Sequence, residues 1–298
     1  MSRFGVLLLL AVSLVPATAC TKVSELFSSS TATPAAPAWP PTAGSTIVYT
    51  AIGASDASGV GASVPCIPFT DCPSGTGYVG VTTRSLTSSG YKVSLNNLGI
   101  PTAVIGPDFQ KLGQQYGRTI AGNFLESEMP FVPSNTTLVT IFAGGNDVNT
   151  ITAALGAGAG ASNQTAYIDT QVKAFGADYT ALLDGIRQKA GVHIVILNLP
   201  NLAGLPYLAS ASTAQRQAAQ RAAVGMTTTV INPLVSSTIT VVDLMCDARA
   251  YQASNYSSDG FHPNDAGYAF IAGEIVKAAT TTGYAAPKSS CAQMTLVP

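Results

Sequence analysis

Residues able to do acid–base or nucleophilic chemistry are few in this sequence, and they lie far apart. Histidine occurs twice, as His193 and His262, so a serine nucleophile that needs a base for its proton has two candidates. His193 opens the apolar run HIVILNLP, where a structural imidazole is the simpler reading. His262 stands in DGFHPND, just downstream of Asp259. Across a turn, the D-x-x-H spacing brings the carboxylate to the imidazole, fixing its tautomer and stabilising the imidazolium that forms during attack. The same spacing also describes a turn carboxylate beside a surface histidine.

Two further clusters carry polar residues at the ends of apolar runs. GASDASG follows TIVYTAI and contains Ser55, a candidate nucleophile in a chain otherwise rich in serine. GGNDVN follows TLVTIFA and contains Asn146, whose amide N–H suits a developing oxyanion, with Gly144 and Gly145 permitting close approach. An asparagine that closes a turn through its own backbone is the plain alternative.

The elements that must position these residues follow from hydrophobic patterning. Apolar runs of strand length at 46–53, 91–99, 137–145, 193–200 and 239–244 alternate with longer stretches of helical character. That is the pattern of βαβ units and a parallel sheet covered on both faces. Helical stretches are expected over 76–90, 107–127, 166–191 and 212–231. In the third, Ile168, Val172, Phe175, Tyr179, Leu182, Leu183 and Ile186 recur at helical spacing and form an apolar stripe. A last helix follows HPND, capped by Asn264 or Asp265. The Gly/Ala-rich segment 151–164 reads as a loop. In open α/β sheets function collects beyond the carboxyl ends of the strands, where all three polar clusters fall.

Composition narrows the partners. The chain has 298 residues, 47% of them hydrophobic, which is ample for a buried core, and only 10% charged with a formal net charge of −1. No basic face is available for nucleic acid. Residues 1–19 have the parts of an export signal: Arg3, the apolar run GVLLLLAVSLV, and Ala17 and Ala19 before the cleavage point. Cys20 follows, so either ordinary cleavage or lipid attachment at Cys20 fits, and the Ser/Ala/Pro-rich segment 20–45 reads as a flexible tether. The folded domain is expected over 46–298. Of the 5 cysteines, Cys20 is the odd one; Cys66 with Cys72 and Cys246 with Cys291 are the pairs expected in an oxidising compartment, against four buried free thiols as the alternative. With two histidines and scattered cysteines there is no clustered metal-ligand set.

In order and placement, GASD, NLGIPT, GGND and DGFHPND resemble the sequence blocks of the SGNH/GDSL hydrolase family over roughly 46–282. The resemblance implies a flavodoxin-like three-layer α/β/α fold and a serine esterase needing neither cofactor nor metal. Ser55 would be the nucleophile, His262 the base, Asp259 its orienting partner, and Asn146 and the Ser55 N–H members of the oxyanion hole. Two departures stand out. Where the family reads G-D-S-L, Ala54 replaces the acidic residue, so any support from that carboxylate must come from elsewhere, with Asp56 as the candidate. Where the second block has a glycine that donates its N–H to the oxyanion, this chain has Thr102, which takes up φ > 0 at greater cost; Gly99 is the fallback. The α/β-hydrolase elbow fits less well, since its second glycine falls on Ala57. The expected product of the chain is thus an exported, monomeric ester hydrolase, secreted, periplasmic or anchored through Cys20 at the outer membrane or cell surface. Its substrate would be a small-molecule or glycan ester. A non-catalytic surface lipoprotein that binds a glycan or partner through the same fold is the alternative.

Overall fold

A computed structural model describes residues 38–67 and 72–298. The export signal, Cys20 and the tether up to residue 37 lie outside the described residues. Five strands, β1 (Thr46–Gly53), β2 (Lys92–Asn97), β3 (Leu138–Phe142), β4 (His193–Leu197) and β5 (Ile239–Val242), form one sheet in the order β2-β1-β3-β4-β5. Every pairing is parallel. The order reverses between β1 and β3, so their carboxyl ends open the crevice in which doubly wound sheets bind ligands.

Among the described residues six α-helices cover the sheet: α1 (Tyr78–Ser88), α2 (Pro107–Gln115), α3 (Gly145–Gly156), α4 (Gln164–Lys189), α5 (Thr213–Gly225) and α6 (Asp265–Thr280). Alternate strand residues face opposite layers. Ile52, Val139, Ile141, Ile194, Ile196 and Val241 join a core with α2 to α5, whereas Tyr49, Ala51, Val195, Leu197 and Val242 join one with α1 and α6. The apolar stripe on α4 is wholly buried. Each large side chain in it contributes about 1.5–3 kcal/mol of burial, so tertiary packing outweighs the intrinsic propensity of a helix that contains Gly176 and Gly185. Among the described residues no helix is long and apolar enough to cross a membrane. Both expected disulfides, Cys66–Cys72 and Cys246–Cys291, are formed.

Three boundaries differ from expectation. The stretch 107–127 is not one helix: α2 ends at Gln115, and Gly117 (φ 78°) turns left-handed while the Arg118 N–H returns to the Gly113 carbonyl at 2.9 Å. That is a Schellman termination, which a residue with a Cβ would strain. The segment 151–164 is not all loop, because α3 runs on to Gly156 by burying Val148, Ile151, Ala154 and Leu155. It stops by the same device at Gly158 (φ 94°), where the Ala159 N–H reaches the Ala154 carbonyl at 2.9 Å. Finally, the end of the expected tether is packed on the body: Trp39 stacks on His193 with ring centroids 4.3 Å apart, and the Gly44 N–H donates to the Gly90 carbonyl at 3.1 Å.

Candidate active site

The three polar clusters converge beyond the carboxyl ends of β1 and β3. After Gly53 the chain leaves the sheet in successive tight turns, in which the Ala57 and Ser58 N–H groups return to the Ala54 carbonyl and the Val60 N–H to the Ser55 carbonyl. Ser55 lies at the head of these turns and is buried. Its Oγ is 2.7 Å from His262 Nε2, while His262 Nδ1 is 2.5 Å from Asp259 Oδ2. Ser58 faces away, donating its hydroxyl to the Gly99 carbonyl at 2.7 Å. The sequence-predicted Ser55, His262 and Asp259 are therefore in one hydrogen-bonded line, although the serine and histidine are 207 residues apart.

The Asp259–His262 turn is held from within. Asp259 Oδ1 accepts the N–H groups of Phe261 and His262 and the Ser257 hydroxyl, each at 2.9 Å. Burial works to raise the Asp259 pKa, but the hydrogen bonds from His262, Phe261 and Ser257 outweigh it and hold the carboxyl down at about 2. Asp259 is therefore ionised at neutral pH beside the His262 imidazole. Gly260 (φ 68°) closes the turn where a Cβ would meet the Tyr207 N at 2.6 Å. Asn264 then caps α6, accepting from the Ala266 and Gly267 N–H groups.

Asn146 lies in the first turn of α3, behind the left-handed Gly144 (φ 112°). Its Nδ2 donates to the Ala103 carbonyl at 3.1 Å, leaving one amide hydrogen without an acceptor among the described residues, and its Oδ1 accepts from Arg118 Nη2 at 3.1 Å. The guanidinium thereby fixes which end of the amide faces the site. Arg118 was not among the sequence candidates: the left-handed termination of α2 carries it out of a stretch that reads as helix surface. Asp147, the next residue, accepts the Ile105 N–H at 3.0 Å, and burial pushes its carboxyl up to about 7. The ND pair of GGND thus docks α3 onto the chain at 103–105.

That chain begins with a turn from Ile100 to Ala103, closed by the Ala103 N–H to the Ile100 carbonyl at 3.1 Å. Pro101 occupies its second position and Thr102 its third, the position at which a type II turn demands φ > 0. Thr102 has φ 68° and is the sole non-glycine residue with positive φ among the described residues. For a β-branched residue this costs about 1–3 kcal/mol, offset in part by its hydroxyl, which accepts the Ala121 N–H at 2.9 Å. Gly99, the fallback, has its N–H committed to Asn97 Oδ1 at 3.1 Å. Among the described residues the backbone N–H groups of Ser55 and Thr102 have no hydrogen-bond acceptor.

A second carboxyl, besides that of Asp56, lies at the end of β1. Burial pushes Asp56 upward, opposed by the charge of His262, whereas the Gly53 N–H is held by Glu128 Oε2 at 2.9 Å. An apolar pocket lies beside the site, lined by Ala54, Phe142, Leu199, Leu202, Phe261 and Ile271. A second, polar groove is lined by Arg118, Asn149, Gln164, Tyr207 and Gln215. Phe261 of the first lies against Tyr207 of the second, ring centroids 5.2 Å apart, and its ring is 4.9 Å from that of His262. The segment 198–208 supplies residues to both. Among the described residues no group of His, Cys, Asp or Glu is placed to hold a metal ion.

Residues 51–270 match the GDSL-like Lipase/Acylhydrolase family. Among solved structures, the chain is similar to the lipase Lip_vut3 from a goat rumen metagenome: 19% identity, 78% of this chain and 97% of that one covered, TM-score 0.52. It is likewise similar to an extracellular lipase from Streptomyces rimosus, at 20% identity over 78% of this chain and 99% of that one, with a TM-score of 0.51. No curated protein matches the sequence significantly. At these identities the structures speak for the fold alone, but the family match spans most of the chain and contains every residue of the site. The chain belongs to the GDSL-like lipase/acylhydrolase family.

Proposed function

We propose that the chain is a serine ester hydrolase working through an acyl-Ser55 intermediate. The observation that carries this reading is the unbroken line Asp259–His262–Ser55, with contacts of 2.5 and 2.7 Å. Ser55 Oγ attacks the ester carbonyl as His262 Nε2 takes its proton, and ionised Asp259 stabilises the imidazolium at Nδ1. The tetrahedral oxyanion is received by the N–H groups of Ser55 and Thr102 and by the uncommitted Asn146 amide hydrogen. His262 returns the proton to the leaving alcohol. Water then attacks the acyl group with His262 again as base, and the carboxylic acid departs. No step calls for a cofactor.

The two recesses support a division of the substrate: the acyl part against Leu199, Leu202 and Phe142, and a polar, uncharged alcohol part, such as a sugar, along Asn149, Gln164 and Gln215. The paired cysteines support an exported enzyme, which we place at the cell surface through Cys20 or free after cleavage beside it. Replacing Ser55 by Ala tests the core of the reading. With a chromogenic short-chain ester, kcat should fall by about 10⁴-fold or more at unchanged Tm, and near-normal turnover by the folded variant would refute it.

A further inference from the structure

Glu128 is wholly buried (0% exposed), yet neither the triad nor the oxyanion donors include it. Its position is built with care. Val104 and Phe124 bridge two distant segments through the Val104 N–H to Gly122 and the Phe124 N–H to Val104. Asn123 caps the wide turn Phe124–Glu128 by accepting the Glu126 N–H at 2.9 Å, and Phe124 anchors it in the core. At the end of that turn the Glu128 carboxyl meets the last residue of β1. Oε2 accepts the Gly53 N–H at 2.9 Å, and Oε1 has no partner among the described residues.

Burying a carboxyl with one oxygen unpartnered costs free energy, and an apolar residue there would be the simpler way to fill the core. Burial drives its pKa well above the carboxylate range, against the hydrogen bond from the Gly53 N–H. What the carboxyl touches accounts for its retention. The Gly53 carbonyl accepts the Ile100 N–H at 3.1 Å, and Ile100 opens the turn that holds Thr102 in its left-handed conformation. Gly53 stands two residues before Ser55, and Ile100 two before Thr102. One hydrogen-bonded chain therefore runs from Glu128 through Gly53 to the turn, tying together the two segments whose unpaired N–H groups face the reaction.

We propose that Glu128 is a positioning residue: its carboxyl fixes the separation of the Ser55 and Thr102 N–H donors and so sets the oxyanion hole, a task the carboxylate missing at Ala54 does not perform. This rests on the serine-hydrolase reading above. It reaches the reaction through Gly53 and touches no substrate.

The test compares Glu128→Gln, which keeps an acceptor oxygen, with Glu128→Met, which keeps the volume and removes the acceptor. Tm, kcat and KM for a chromogenic ester are measured well below each Tm. For Glu128→Met, kcat should fall by about tenfold or more with KM within about twofold, the signature of an interaction felt in the transition state. Glu128→Gln should restore kcat to within about threefold of wild type, the acceptor being regained. A Met variant that folds with near-normal kcat, a Met variant that does not fold, or a Gln variant as slow as the Met variant would each overturn the assignment. The Ser55→Ala control separates the two levels: if turnover does not depend on Ser55, the hydrolase reading fails and takes this proposal with it, whereas Ser55-dependent turnover indifferent to Glu128→Met defeats the proposal alone.

Discussion

The two histidines stand at opposite ends of the same sheet in different surroundings, and the proposed reading gives one a reactive role and the other a structural one. His193 is the first residue of β4, 4% exposed, stacked flat under Trp39, with Nε2 3.0 Å from the Thr240 hydroxyl. Burial lowers its pKa to about 4, and it has no carboxylate partner among the described residues, so it stays neutral and structural. His262 lies beyond the carboxyl ends of the strands, with a carboxylate on one ring nitrogen and a hydroxyl on the other. On the proposed reading what matters is polarity along the ring: a proton accepted from Ser55 at Nε2 would be stabilised from Nδ1. Neither strand propensity nor burial supplies that.

Breaking this contrast should yield the largest effects. His262→Ala should lower kcat by about 10⁴-fold or more with little change in Tm, while His193→Ala should lower Tm and leave kcat within about twofold. Steady-state kinetics with thermal melts on both variants checks the pair, and a folded, inactive His193→Ala would break the comparison. Next comes the oxyanion side. Asn146→Ala should reduce kcat by about 10²–10³-fold. Arg118→Met, which frees the Asn146 amide to rotate, should cost about tenfold in kcat, the lower end of what a charge-assisted hydrogen bond is worth. In the double variant the Arg118 effect should vanish, since it acts through Asn146.

The last effect concerns pH. Burial raises the Asp147 carboxyl from its ordinary 3.8 to about 7, so between these values the folded chain keeps a proton that the unfolded chain has released. That contribution to stability is fully present below about pH 3.8 and is lost as pH rises through about 7. Asp147→Asn keeps the acceptor for the Ile105 N–H without this titration. Between pH 4 and 7 the Tm of wild type should therefore fall relative to that of Asp147→Asn, by roughly 10 °C if the whole shift is expressed; parallel curves would show that the carboxyl does not titrate in this window.

The sheet and the candidate reacting groups were legible in the sequence because both are local signals. Strand-length apolar runs announce a parallel sheet, and Ser55, Asn146, Asp259 and His262 each follow or flank such a run, where the fold concentrates chemistry. The stripe on α4 was legible for the same reason: its period is written in adjacent turns. The supports were not. Arg118 reaches Asn146 across 28 residues and Glu128 reaches Gly53 across 75, and each reads locally as a solvated charge in a polar stretch. Gly117 could have been the signal for Arg118, since a Gly-Arg pair after an amphipathic turn marks a helix end. Thr102 was flagged only because the family's glycine was missed there, and the preceding Pro101 supplies the physical reason: proline then φ > 0 is the wording of a type II turn.

The central claim is that Ser55, and no other serine of this Ser-rich chain, is the nucleophile. Treating the protein with a fluorophosphonate and mapping the adduct by peptide mass spectrometry tests it most directly. The account predicts one stoichiometric adduct, on Ser55, formed at least about 10³-fold more slowly in His262→Ala, because only the base-activated hydroxyl attacks phosphorus. An adduct on Ser58 or another serine, or labelling indifferent to His262, would contradict it.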